Sequence, residues 1–432
     1  MLKLDGSSHF RQRLVLSTLA RVGPAPPPLP PPRGPARHPA RPPIARVPQY
    51  AARPPARGAL PPPSAGAPPG RNSRRGGAEG RGSPRGDPPL LQRPIRIDRI
   101  RAKDQDPGLR EFEANFLRLL DKMTNGSLVE INETGTALRY RPGYLTGGSV
   151  EHDCSGERGI GYYLEALVLL GLMGKRPLTV TLRGVTNHPR DPSVDTFRTV
   201  TLPLMKSLGL AEDFELRIVK RGAAPLGGGE VVLTVPCVKE LRAVDLTDEG
   251  MVKRVRGIAY SMRTTPQNSN RMVDGARGVF NDFLADVYVF TDHMSGEKAG
   301  RSPGYGVVLV AETTTGCFVS AECCVDPDGD DPAERVPEDV GRKAANMLLE
   351  EVRRGGVVDS SHQAIVLTLC ALGPPELSRV RLGPLAPYAV KQLRHLREFL
   401  GVKFTIKPEN ESKTVFLSCV GAGVKNTARR IQ

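Results

Sequence analysis

Three stretches of the chain repeat one order of apolar and polar positions. Each begins with the pattern of an amphipathic helix, passes a turn that contains glycine, and ends in an alternating strand pattern. The stretches are FLRLLDKMTNGSLVEI, TLPLMKSLGLAEDFELRI and QLRHLREFLGVKFTI, with turn glycines Gly126, Gly209 and Gly401. The repetition predicts three similar α/β units, each a small sheet covered by helices.

The spacing of the repeats predicts an inserted domain. The interval from Gly209 to Gly401 exceeds the interval from Gly126 to Gly209 by about a hundred residues, which is an ordinary domain size. We therefore predict one domain that holds two repeats, a smaller inserted α/β domain, and a third repeat. Their predicted bounds are 1–20 with 93–237, then 238–335, then 336–432.

A proline-rich segment interrupts the first repeat. Residues 21–92 contain 22 of the 41 prolines, and 12 arginines against two acids. They therefore carry most of the net charge of +15, and the rest of the chain is only mildly basic. Such a composition buries too little apolar surface to fold, so we predict disorder. The segment reads as a proline-rich ligand, as an arginine/glycine-rich RNA tether, or as a non-native insertion. We favour the last, because it separates a helix pattern from the strand pattern that should follow.

The cysteines give no sign of a metal site. All seven lie outside the spacing of a zinc site, and most lie in apolar segments. Reduced thiols in a cytosolic or nuclear protein are the natural interpretation. No apolar run reaches the roughly 18 residues of a membrane span. We predict neither a metal nor a cofactor.

Short motifs give weak signals by themselves. The glycines of APLGGGEVVL (224–233) precede a strand, so a tight turn is favoured over a phosphate-binding loop. DPDGDDPAE (326–334) has Asp331 where a calcium-binding loop needs glycine. His362 and His395 are single histidines on predicted helices, and neither belongs to a catalytic constellation that spacing can identify.

Two stretches collect cations on one side. RPIRIDRIRAK (93–103) alternates arginine with isoleucine, so a strand would separate an apolar face from a cationic face. In KQLRHLREF, Lys391, Arg394 and Arg397 follow one another at helical spacing. Both stretches could bind RNA phosphates or an acidic protein partner. The alternative is that they form an ordinary solvent-exposed face with no binding role.

A longer series of motifs resembles the RNA 3′-terminal phosphate cyclase superfamily, and more closely its eukaryotic nucleolar, cyclase-like branch. The motifs are RIRAKDQDPGLREFEANFLRLL, GGSVEHDCSGERGIGYYLEAL, RGVTN, DPSVD, PLGGGEVV, VKRVRGIAYS, SPGYGVVLVAETTTG and LLEEVRRGGVVDSSHQ. The resemblance spans residues 4–20 and 93–432 in order. It implies three units similar to the C-terminal domain of translation initiation factor three, with a smaller domain inserted before the last.

The resemblance also implies where a catalytic histidine would lie. True cyclases form a covalent nucleotidyl-histidine four residues after a Gly-Pro pair, and counting from Gly383-Pro384 places Tyr388 there. A phenol with a pKa near 10 is a poor replacement for imidazole at neutral pH. Other positions depart from the cyclase pattern as well. The segment Leu4–Ser8 lacks the Glu and the Gln that the cyclases have there. Asp104 replaces an arginine of the cyclases, Leu226 replaces a lysine, and His362 replaces an aspartate.

The resemblance therefore implies a non-catalytic factor without a catalytic residue. It implies a nucleolar protein of the small-subunit processome, needed for early pre-ribosomal RNA cleavages that lead to 18S RNA, and bound to a nucleolar GTPase. The alternatives are an active cyclase with His362 as the nucleophile, and a pre-ribosomal RNA endonuclease. The candidate RNA- or partner-binding residues are Arg101, Lys391, Arg394, His395 and Arg397, and we expect Arg394, His395 and Arg397 on an exposed helix face.

Overall fold

A computed structural model describes residues 1–20, 93–210, 213–326, 329 and 335–429. It has a mixed α/β fold with several small sheets, which confirms the predicted fold class. The predicted disorder of residues 21–92 concerns a segment outside the described residues. None of the described helices is both long and apolar enough to cross a membrane.

The first unit confirms the strand predicted from alternating isoleucine and arginine. Ile95 and Ile97 are fully buried, whereas Arg96 between them is exposed, as the side-chain alternation of a strand requires. The elements of this unit are β1 (Leu2–Asp5), α1 (Phe10–Leu19), β2 (Ile95–Asp98), α2 (Glu111–Met123), β3 (Thr124–Asn125), β4 (Leu128–Ile131), β5 (Leu138–Arg141) and β6 (Tyr144–Leu145).

The second unit has a nearly all-apolar central helix, because both sides of that helix are buried. Its elements are β7 (Gly148–Asp153), α3 (Ile160–Leu170) with a 3-10 turn (Gly171–Met173), β8 (Leu178–Gly184), α4 (Val194–Thr196), a π-helical turn (Phe197–Thr201), α5 (Leu202–Ser207), β9 (Glu215–Lys220) and β10 (Gly229–Val235).

The rest of the chain forms two further sheets. One contains β12 (Val252–Met262), β13 (Val287–Met294), β14 (Gly304–Thr313) and β15 (Phe318–Cys324), with helices α6 (Gln267–Phe280) and α7 (Pro337–Arg354) and a 3-10 turn (Gly296–Lys298). The other contains β11 (Asp245–Leu246), β16 (Leu377–Leu382), β17 (Thr405–Glu409) and β18 (Thr414–Val420), with helices α8 (Gln363–Leu372) and α9 (Pro387–Leu400).

Three of the four-stranded sheets share one topology. Their strand orders are β1-β2-β5-β4, β7-β8-β10-β9 and β11-β16-β18-β17. In each sheet the first two strands are parallel and the other neighbours are antiparallel. The sheet of β12 to β15 has a different order, β13-β12-β14-β15. The three similar units expected from the repeat are therefore present.

The repeat glycines have one structural role. Gly126, Gly209 and Gly401 have φ angles of 81°, 72° and 73°, a left-handed conformation that side chains with a Cβ rarely adopt. Gly401 caps the C-terminus of α9 in this left-handed conformation, which is common at helix C-termini.

The two largest of four hydrophobic cores among the described residues hold most of the buried apolar side chains. One core joins buried side chains from the three similar sheets and their helices, and α1 contacts both α3 and α9 within it. The other core joins β12, β14 and β15 to α6 and α7. Two elements cross the predicted domain boundaries. Helix α7 begins at Pro337, beyond the predicted end of the inserted domain at residue 335, yet it packs in the second core. Strand β11 lies within 238–335, yet it pairs with β16 of the third unit. The domain bounds given above stay predictions.

Candidate functional site

Tyr388 lies in the first turn of α9, after a loop that a neighbouring side chain holds. Pro387 opens the helix at a position where a missing N–H costs nothing. The side chain of Gln363 accepts a hydrogen bond from the Ala386 N–H at 2.9 Å and donates to the Pro384 carbonyl at 3.1 Å. Gln363, which the sequence shares with the cyclase pattern, therefore fixes the loop that carries Tyr388.

The hydroxyl of Tyr388 is fully used by neighbours from two other helices. It donates to Glu165 Oε1 at 2.7 Å and accepts from Arg11 Nη2 at 3.2 Å. The side-chain amide of Gln12 also hydrogen-bonds the hydroxyl. Arg11 and Gln12 come from α1 and Glu165 from α3, so this cluster joins all three similar units.

Electrostatics keep this phenol protonated. Burial raises the pKa of Tyr388 above its ordinary value, and the carboxylate of Glu165 raises it further. Arg11 forms an ion pair with Glu165, and its guanidinium lies 4.4 Å from the centre of the Tyr162 ring. The phenolate that a tyrosine nucleophile would need is therefore strongly disfavoured.

Little space remains beside Tyr388. The cavity lined by Tyr388, Arg11, Gln12 and Glu165 has a volume of about 20 Å³. A cavity needs roughly 10–15 Å³ to hold one water molecule, so this one has room for water and none for a nucleotide.

His395 was expected on an exposed face, and that expectation is wrong. Its exposed fraction is 8%, and its ring packs edge-on against Phe399 and against His9. The buried stripe of α9 runs through Ala389, Gln392, His395, Leu396 and Phe399. Gln392 and His395 are polar residues on the buried side of α9, so the hydrophobic pattern of the sequence assigned that side to solvent.

A cationic group surrounds His9 and His395. The pKa of each imidazole is lowered to about 4, chiefly by burial and in addition by nearby Lys391 and Arg13. Three nitrogens here have no hydrogen-bond partner among the described residues: His9 Nδ1, Arg13 Nε and His395 Nδ1. Both imidazoles are therefore neutral at neutral pH.

The other candidate contact residues differ in accessibility. Lys391, Arg394 and Arg397 are exposed on the outer side of α9. Arg101 is partly buried, donates to the Gly108 carbonyl at 2.9 Å and forms an ion pair with Glu113 at the start of α2. The guanidinium of Arg101 is therefore already engaged within the fold.

His362 has partners on both ring nitrogens. Nδ1 meets Asp359 Oδ1 at 2.7 Å, and Nε2 meets Thr201 Oγ1 at 2.9 Å. Burial lowers its pKa, but the Asp359 carboxylate outweighs this and the pKa of His362 is raised. All three side chains are buried. The hydrogen-bonded series Thr201, His362 and Asp359 resembles a catalytic triad. Here, however, the three side chains lie in the interior, where they link the second unit to the third.

The glycine-rich segment is a turn, as predicted. Strand β10 begins at Gly229, and the preceding backbone packs on another loop: Arg301 N–H donates to the Gly227 carbonyl at 2.9 Å. Leu226, which replaces the lysine of the cyclase pattern, is exposed. Most of the acidic segment 326–334 lies outside the described residues.

A cleft of about 840 Å³ opens between the loop at 189–192, strand β15 and helix α7. Its charged side chains largely neutralise one another: on α7, Arg342 pairs with Asp339, and Arg354 pairs with Glu350 and Glu351. No group of three metal-ligating side chains occurs among the described residues.

Comparison with known proteins identifies the family. A family profile described as RNA 3′-terminal phosphate cyclase matches residues 89–406. The chain belongs to the RNA 3′-terminal phosphate cyclase family. It is 54% identical over 350 residues to the RNA 3′-terminal phosphate cyclase-like protein of Mus musculus, covering 79% of this chain and 94% of that protein.

Other relatives within the cyclase family are nearly as similar. The probable RNA 3′-terminal phosphate cyclase-like protein of Arabidopsis thaliana is 52% identical over 353 residues, with 79% of this chain and 94% of the relative covered. The rRNA processing protein rcl1 of Schizosaccharomyces pombe is 44% identical over 343 residues, with 78% and 93% covered. These relatives confirm the predicted resemblance to the cyclase-like branch.

The cluster around Tyr388 contains residues that sequence reasoning had not selected. Arg11 and Gln12 lie 377 and 376 residues from Tyr388 in the chain, and Glu165 lies 223 residues away. The family motifs contain Glu165, in GIGYYLEAL, but give no indication of its partner. Only the packing of α1, α3 and α9 brings these side chains together.

Proposed function

We propose that this chain is a non-catalytic factor in ribosomal RNA processing, built on a cyclase fold that no longer activates RNA ends. The observation that carries this proposal is the environment of Tyr388. The cyclase reaction needs a nucleophilic imidazole and room for a nucleotide. At the expected position the chain has a phenol with fully used hydrogen bonds, beside a cavity of about 20 Å³.

The chemistry of nucleotidyl transfer supports the same reading. A nucleophile attacks phosphorus through a free lone pair, and the Tyr388 oxygen already accepts from Arg11 while donating to Glu165. Burial and the Glu165 carboxylate raise the pKa of the phenol, so the phenolate is disfavoured at neutral pH. The alternative nucleophile, His362, is buried with both nitrogens bonded.

The relatives support the biological part of the proposal. One of them is named an rRNA processing protein, and this chain covers 93% of its length. The finer parts follow from the family resemblance alone: a nucleolar location, the small-subunit processome, early cleavages leading to 18S RNA, and a GTPase partner.

Complementation with Tyr388→Phe tests the proposal. In cells depleted of the chain, the variant should restore the ratio of mature small-subunit RNA to its precursors, because phenylalanine keeps the ring that stacks on His9 and the process requires no nucleophile. A Tyr388→Phe protein of normal abundance that fails to restore processing would refute the non-catalytic reading. Wild-type chain and an empty vector set the upper and lower limits of the assay.

We further propose that the exposed cations of α9 contact the pre-ribosome or the GTPase. Lys391, Arg394 and Arg397 share one accessible side of the helix, whereas His395 is left out because it is buried. Replacing the three cations by alanine should weaken capture of pre-ribosomal particles without changing the unfolding midpoint. Unchanged capture would remove this assignment and leave the non-catalytic reading in place.

A further inference from the structure

The strand register places cations side by side on the outer face of the first sheet. Lys3 of β1 lies opposite Arg96 of β2, and Arg96 lies opposite Arg139 of β5. Residues in register on neighbouring strands point to the same face. Leu4, Ile95 and Leu138 point to the opposite, buried face, so the three cations form one row that faces solvent. We call Lys3, Arg96 and Arg139 the cationic row.

Such a row is unfavourable unless something compensates for it. Side chains directly opposite on adjacent strands lie about 4.5–5.5 Å apart at Cβ, and like charges at that distance destabilise a sheet. Glu130 lies at the end of the row and pairs with Arg139 at 3.1 Å, and Asp98 pairs with Arg96 from the same strand at 2.9 Å. Lys3 forms no ion pair with any residue that the structure describes, and Arg139 Nε has no hydrogen-bond partner there.

The two sheets with the same topology avoid this arrangement. In the second sheet, Arg183 lies between Asp153 and Glu230 in register, and it pairs with Glu230 at 3.0 Å and with Glu151 at 2.9 Å. In the third sheet, Arg379 lies opposite Asp245 and pairs with it at 2.6 Å. Cation therefore faces cation in the first sheet, whereas Arg183 and Arg379 face acids in the other two sheets.

We propose that the cationic row, with Arg141 beside it, binds the phosphate backbone of RNA. Arg141 is exposed on the same face, opposite Leu128 of β4. The outer face of the first sheet carries no aromatic side chain that could stack on a base. Contacts to phosphate alone carry no sequence information, so the binding is electrostatic and independent of sequence. Phosphates would add to the negative charge that Asp98 and Glu130 supply to Arg96 and Arg139.

Salt-dependent binding to a labelled RNA tests this proposal. The probe is a fluorescein-labelled single strand of mixed sequence, about 20 nucleotides long, titrated with the full chain by fluorescence anisotropy from about 50 to 200 mM KCl. The test variant is Lys3→Gln/Arg96→Gln/Arg139→Gln. The control, Arg217→Gln/Arg379→Gln/Lys407→Gln, removes three exposed cations from the outer faces of the other two sheets.

The proposal predicts that only the first variant loses affinity. Its affinity should fall about tenfold or more, and the slope of log affinity against log salt should flatten by about 2, since each phosphate contact on single strands contributes about 0.7. Equal losses in both variants would show that total charge matters and the row does not. An unchanged first variant would overturn the proposal directly.

A competitor separates RNA from an acidic peptide. Polyglutamate at matched negative charge should displace the probe much less well than unlabelled RNA does. Displacement as effective as that by RNA would assign the row to an acidic protein segment and overturn the RNA proposal. None of these outcomes depends on whether Tyr388 is catalytic, so failure here leaves the proposed function standing.

Discussion

The surroundings of Tyr388 and the outer face of the first sheet treat charge in opposite ways. Around Tyr388, Arg11 has Glu165, and the phenol hydroxyl has three partners. On the outer face, Lys3, Arg96 and Arg139 lie beside one another in register, and within the described residues acids pair with only two of them. The Tyr388 hydroxyl is therefore satisfied within the chain, whereas Lys3 forms no ion pair with any residue that the structure describes.

If the proposed function is right, this difference shows how a fold can be kept after its catalytic chemistry is lost. A catalytic site keeps groups unsatisfied so that the transition state can satisfy them. The Tyr388 hydroxyl instead has partners on α1 and α3, within the packing of three helices. A binding surface can hold like charges side by side at some cost in stability, and we propose that the outer face of the first sheet does so.

The largest expected effect comes from removing the acid of the Tyr388 cluster. Glu165→Gln leaves the buried Arg11 guanidinium without a counter-charge, and the free energy of unfolding should fall by about 3 kcal/mol. Urea denaturation measures the change. The matched control is Glu130→Gln, which removes the partner of exposed Arg139 and should cost less than about 1 kcal/mol. Similar costs for the two variants would contradict the claim that the Tyr388 cluster is part of the core.

A second prediction concerns pH and His395. The folded-state pKa of His395 is about 4, below the unfolded value of about 6.5, so the unfolded state binds the extra proton. Its contribution is favourable above about pH 6.5 and is lost as the pH falls toward 4. Between pH 7 and 5 the loss should be about 2 kcal/mol.

The variant His395→Asn isolates this contribution. Its stability should depend less steeply on pH over that range, by about the same 2 kcal/mol, whatever its stability at pH 7. Parallel curves for the variant and the wild type would mean that His395 is protonated in the folded state, and hence more accessible than its burial indicates.

The smallest predicted effect compares two sheets directly. Lys3→Gln/Arg96→Gln removes opposed cations and should raise the free energy of unfolding by about 0.3 kcal/mol. Arg183→Gln removes a cation held by acids in the second sheet and should lower it by about 0.5 kcal/mol. Chemical denaturation at low salt gives both signs. A loss in the first variant would mean that the row is not self-repelling.

Local sequence pattern predicted the fold better than it predicted the site. The three glycine turns, the alternating strand at Ile95–Asp98 and the turn before β10 follow from spacings of a few residues, which a single sequence records. The exposure of His395 was wrong because helical periodicity treats a polar residue as solvent-facing. In α9, Gln392 and His395 are polar and buried together.

The remaining features depend on contacts that are distant in the chain. The hydroxyl of Tyr388 meets side chains 223 to 377 residues away, and no local pattern records such pairs. The cationic row likewise requires the register of three strands, β1, β2 and β5. The arginines interleaved with isoleucines in 93–103 predicted a cationic face, but only the register shows that cation lies opposite cation.

The most direct test of the central claim is the mass of the intact protein after incubation with magnesium and ATP labelled at its α-phosphate. The account predicts an unchanged mass and no acid-labile label on the protein, while a catalytically active member of the cyclase family, treated in parallel, acquires both. A nucleotide adduct on this chain, whether on Tyr388 or on His362, would contradict the account.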